Sequence, residues 1–112
     1  MDSLPIIHHS YEIYKNIVEI NDSLNKRRHR YSLGTSAEQS ALTLLEQLIM
    51  TKYAPKPLKA SYLIKANADL EILRLKLRLF LDLKLANETK VFQTQSKLQE
   101  IGRMLGGWTK SI

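Results

Sequence analysis

An antiparallel up-down-up-down four-helix bundle, an all-α fold, is what this sequence predicts, and three observations carry the prediction. Four segments repeat apolar residues at three- and four-residue intervals, the spacing of one face of a helix. Breakers are few: four glycines and three prolines punctuate 112 residues, and no Asn-Gly or Asp-Gly pair signals a hairpin. The connections between periodic segments are short, which places consecutive helices antiparallel. With 44% hydrophobic and 25% charged residues the chain has globular composition, and its length fits one domain over residues 1–112.

The first helix is expected over residues 5–25. Pro5 suits a first helical turn, Ile13, Ile17, Ile20 and Leu24 form the core stripe, and Ile7, Tyr11, Tyr14 and Val18 lie alongside. Lys26, Arg27, Arg28, His29 and Arg30 then interrupt the pattern and read as an interhelical loop. The second helix begins between Ser32 and Ser36, where Ser and Thr offer caps, and ends near Tyr53, with Ala41, Leu42, Leu45, Leu48 and Ile49 as its core positions. Ala54-Pro55-Lys56-Pro57 breaks the chain, because proline lacks a backbone donor and pushes the preceding residue out of helical geometry. The third helix runs over residues 58–86. Asn87 can cap the fourth, with Lys90 where a capping-box acid would stand. Val91, Gln95, Leu98, Ile101 and Leu105 give that helix its stripe, and Gly106 and Gly107 end or bend it.

The third helix is the unusual element. At ~100° per residue, Ala66, Leu70, Leu73, Leu77 and Phe80 align on one side and Ile64, Ala68, Ile72, Leu75, Leu79 and Leu83 on the other. A surface helix hides one apolar arc and solvates the rest. A chain this short has no second core for the other arc, so the helix is expected to pack against another subunit and the protein to assemble. Periodicity does not say which stripe faces the core; Ile72, Leu75, Leu79 and Leu83 are assigned to the subunit interface.

Catalysis finds no footing in these residues. Cysteine is absent, so disulfides and thiolate metal sites are excluded. His8 and His9 are adjacent and diverge on a helix, and Glu12, at i+4 from His8, reads as a solvated contact rather than a metal ligand. There is no G-x-S-x-G elbow and no phosphate-cradling glycine loop. The expectation is a non-enzymatic protein with no cofactor and no metal. No secretory pattern opens the sequence, and the leucine-rich segment around residues 70–85 is too charged to span a membrane. A cytoplasmic protein without membrane contact is therefore expected.

Seventeen Lys and Arg against eleven Asp and Glu give a formal net charge of +6, which favours polyanions. Two groups of cations stand out. Lys26, Arg27 and Arg28 precede Tyr31, a combination able to neutralise phosphates and stack on a base, or simply to solvate a loop. Arg74 and Arg78 lie one turn apart in the seam between the two apolar stripes, where any ring-like oligomer multiplies them. Locally they can pair with Glu71 at i−3 and Asp82 at i+4. Tyr11, Tyr14 and Tyr62 are expected to bury their rings at helix interfaces. Trp108 is expected to anchor the end of the fourth helix, with a binding role as the alternative.

Two segments, Arg30-Tyr31-Ser32-Leu33-Gly34 and Glu100-Ile101-Gly102-Arg103-Met104-Leu105-Gly106-Gly107-Trp108, together with the leucine- and arginine-rich third helix, carry a resemblance. The chain resembles the accessory variability determinant (Avd) proteins of diversity-generating retroelements. The resemblance implies a basic homopentamer of four-helix bundles that does no chemistry itself. It implies binding to RNA and DNA and to the element's reverse transcriptase, in support of mutagenic cDNA synthesis and retrohoming. The family's basic character maps onto Arg30, Arg74, Arg78 and Arg103. The chain is also similar to the four-helix-bundle proteins encoded in intervening sequences of bacterial large-subunit ribosomal RNA genes, which implies instead a structural or protein-interaction oligomer.

Overall fold

The computed structural model describes residues 4–24 and 26–112, which form four long helices and no strand. These are α1 (Leu4–Asp22), α2 (Thr35–Tyr53), α3 (Lys56–Asp82) and α4 (Glu88–Lys110). Each helix packs against its neighbours in sequence, and α4 closes the square against α1. Long side chains tie the antiparallel ends together. Lys76, late in α3, donates to the Ser40 hydroxyl at 2.6 Å and the Ser36 carbonyl at 3.2 Å, early in α2. Lys90, at the start of α4, meets Glu19 near the end of α1 at 2.7 Å. The bundle measures 45 × 22 × 19 Å.

Helix α1 buries the expected Ile13, Ile17 and Ile20, and Leu24, just past its end, is buried as well. Tyr11 does not bury its ring: Ser10 continues the buried line between Ile6 and Ile13, and Tyr11 stays exposed with the Lys15 ammonium 5.6 Å from its ring centre. Tyr14 and Tyr62 are half-buried. The expected end of this helix at Asn25 lies outside the described residues, and the helix stops at Asp22.

The basic run is not a loop. Arg27–His29 is a helical turn and Arg30–Gly34 a π-helical turn, and both run straight into α2. The reason is a lock on the end of α1. The buried Asn21 amide donates to the Gly34 carbonyl at 2.8 Å and to Glu38 at 2.6 Å, while the Arg30 guanidinium donates to the carbonyls of Asn21 and Asp22. A Cβ on Gly34 would stand 2.8 Å from the Asn21 side chain, so the close approach requires glycine. Ser32 and Thr35 do not cap; their hydroxyls donate back to the carbonyls of Arg28 and Arg30.

In α2 the core line is Ala37, Ala41, Leu44 and Leu48, continued by the buried Thr51. Of the expected set, Leu42 and Leu45 are only half-buried and Ile49 is exposed. Two apolar lines with the same spacing run along this helix, and the inner one is completed by small and polar residues that an apolar pattern does not count. The helix ends at Tyr53, where the Lys59 ammonium takes the carbonyls of Thr51 and Lys52.

Helix α3 settles which stripe is core. Ala66, Leu70, Leu73, Leu77 and Phe80 are all buried, whereas Ile64, Ile72, Leu75, Leu79 and Leu83 are 73%, 46%, 64%, 43% and 54% exposed. The helix stops at Asp82, four residues short of the expected end. Lys84 adopts φ 54°, Lys84 N–H donates to the Leu81 carbonyl and Leu85 N–H to that of Phe80, a Schellman cap built without the usual glycine. Asn87 caps α4 as expected, accepting from the Lys90 N–H at 3.2 Å. Val91, Leu98, Ile101 and Leu105 are buried; Thr94 rather than Gln95 completes their line. Gly106 and Gly107 do not end the helix, which continues to Lys110 and buries Trp108 in the core on the way.

Candidate nucleic-acid interface

The seven cationic candidates fall into four separate settings. Arg74 and Arg78 share one wall of a groove of about 420 Å³ between α3 and α4, lined by Glu71, Arg74, Leu75, Arg78, Gln95 and Gln99. Both intrahelical pairs form: Arg74 Nη1 meets Glu71 at 3.1 Å, and Arg78 Nε lies 3.7 Å from Asp82. Exposed pairs of this kind contribute at most about 1 kcal/mol and yield readily to a competing anion. The Arg78 side chain is 73% exposed and that of Arg74 39%, so Arg78 reaches into solvent while Arg74 lies closer to α4. The opposite seam of α3 is closed. There Lys76 is tied to α2 and Asp69 is buried beside Lys65, 3.4 Å away.

Lys26, Arg27 and Arg28 are exposed at the end of the bundle. The Arg27 guanidinium sits 5.4 Å from the ring centre of the exposed Tyr31, a cation–π contact. Lys26 borders a shallow pocket with His29 and Lys84. Arg30 belongs to neither group, because its guanidinium is bound to the last carbonyls of α1. These carbonyls carry the negative end of the helix dipole, so the contact is a structural one.

Arg103 is exposed on α4 and pairs with Glu100 one turn before it. The hydrogen bond from Arg103 holds the Glu100 carboxyl below its ordinary pKa and raises that of Arg103, and the charge of His9 on α1 lowers Glu100 further. Between α1 and α4 the hydrogen bond from Lys90 holds Glu19 low. Within one bundle the structure therefore brings Arg74 and Arg78 together but joins neither to Arg30, Arg103 or the Lys26–Arg28 group.

Three contributors to the groove escaped the sequence. Gln95, expected in the core, lines the groove with Gln99, one turn further along α4. Gly102 faces Arg74, whose guanidinium tip lies where a methyl group would stand. The available signals were a glutamine inside an apolar repeat and a glycine in mid-helix. No group of three or more His, Asp or Glu residues able to hold a metal occurs among the described residues, and no helix among them is long and apolar enough to cross a membrane.

A search of curated proteins gives no match. A family model described as bAvd-like matches residues 6–112, nearly the whole chain. The chain belongs to the bAvd-like family, whose members are accessory, non-catalytic proteins.

Proposed function

We propose that this protein is the accessory subunit of a diversity-generating retroelement, binding RNA and DNA together with the element's reverse transcriptase and supporting mutagenic cDNA synthesis and retrohoming. The observation that carries the reading is the outer side of α3. An apolar stripe of Ile72, Leu75, Leu79 and Leu83 lies uncovered beside two arginines that open on a groove. The stripe is the self-association surface of a ring-like oligomer, a pentamer by family resemblance, and the arginine seam recurs once in every subunit. Each copy adds its own cations to one surface, and clustered cations release counterions from nucleic acid.

The decisive comparison sets Arg74→Glu with Arg78→Glu against Lys26→Glu with Arg28→Glu. Gel shift and pull-down of the cognate reverse transcriptase read binding, and circular dichroism reads folding. Wild-type affinity should fall steeply between about 50 and 200 mM salt. The α3 pair should lose at least about tenfold in affinity while remaining folded, because the pairs to Glu71 and Asp82 are exposed. Loss in the Lys26–Arg28 variant alone moves the contact to the end of the bundle. Loss in neither leaves a structural oligomer without a nucleic-acid role.

A further inference from the structure

Gly102 stands in the middle of α4, where glycine is less favourable than alanine for backbone-entropy reasons. A Cβ built there would lie 2.8 Å from Arg74 Nη2 and 3.4 Å from a Leu70 methyl. Its nearest neighbours are thus side chains of α3, foremost the guanidinium itself, so close approach of two backbones is not what the glycine serves. Gly106 and Gly107, in the same helix, have nothing within 4 Å of the corresponding position. What sets Gly102 apart from them is the Arg74 side chain lying against it.

We infer that Gly102 is a positioning residue for the phosphate contact of Arg74. Its missing side chain forms a seat in which the guanidinium lies against α4. Glu71 holds Nη1 from one side at 3.1 Å, and the α4 surface confines Nη2 from the other. A guanidinium carries five N–H donors in a rigid fork. Glu71 takes one of them among the described residues, which leaves the fork able to engage a phosphate bidentately at the groove. An alanine at position 102 would displace the tip of a flexible side chain without disturbing the backbone, turning Arg74 out of its seat. The inference rests on the reading of Arg74 as a nucleic-acid contact.

The test measures fluorescence anisotropy of a labelled single-stranded RNA on the full-length protein, together with thermal melting. Gly102→Ala should melt at the wild-type temperature or a few degrees higher, because alanine is the better helix former. It should nevertheless bind about tenfold more weakly, with the salt slope reduced by about 1 for each phosphate that Arg74 no longer neutralises. Gly106→Ala should gain similar thermal stability and bind as wild type. In an Arg74→Gln background, Gly102→Ala should weaken binding no further, because the group it positions is gone; additional weakening there would mean that the methyl obstructs the ligand directly and would overturn the inference. If Arg74→Gln weakens binding and Gly102→Ala does not, the positioning role falls while the groove remains the site. If Arg74→Gln itself binds as wild type, the site reading falls and the inference with it.

Discussion

The two apolar faces of α3 have nearly the same composition and opposite fates. Leu70, Leu73, Leu77 and Phe80 are buried inside the bundle, whereas Ile72, Leu75 and Leu79, two residues away in sequence from members of the inner stripe, are exposed. Burying one large aliphatic side chain contributes about 1.5–3 kcal/mol, so the inner face holds the bundle together. The outer face is only partly covered in an isolated bundle and leaves apolar surface available for association. The difference teaches that hydrophobicity specifies a need for cover, and the register of the neighbouring helices decides which face the chain covers for itself.

Asymmetric damage sharpens that comparison. Leu73→Asp with Leu77→Asp places carboxylates where relative exposure is 0%, and should remove roughly 4 kcal/mol or more per site. Loss of helical signal and of cooperative melting measures it. A folded double variant would mean that the inner face is not the core. The smallest expected effect lies where both faces end. Lys84 occupies the left-handed position of the α3 cap at φ 54°, so Lys84→Gly should add about 0.5–1 kcal/mol, read as a higher denaturant midpoint with unchanged slope. A lower midpoint would indicate that the lysine contributes more to the cap than its backbone costs.

The all-helical class, the four helices and the two apolar stripes of α3 were legible because each is a local periodicity; which stripe faces the core was not. The Arg74–Glu71 and Arg78–Asp82 pairs were legible for the same reason, being fixed by i,i+3 and i,i+4 geometry. What the sequence hid depends on register between elements. Leu44 and Leu45 are both compatible with an apolar line, and only the packing of α2 between α1 and α3 selects Leu44. Arg30 read as one more cation of a basic run, but the Asn21 lock on Gly34 turns it back onto the carbonyls of α1. Gly102 read as part of a family motif; its seat for Arg74 exists only once α4 lies against α3. The early end of α3 escaped because a lysine stands where a helix stop normally has glycine.

Sedimentation equilibrium at micromolar concentration, on the wild type and on Leu75→Asp with Leu79→Asp, decides whether the outer stripe of α3 is an assembly surface. The outer stripe should hold wild-type chains in an oligomer several times the 12.9 kDa of one chain. The double variant should sediment as a single folded chain with undiminished helicity, since neither residue is buried in the bundle. A wild-type protein that sediments at 12.9 kDa, or a double variant that unfolds as completely as the inner pair, would contradict the assignment of this face to assembly.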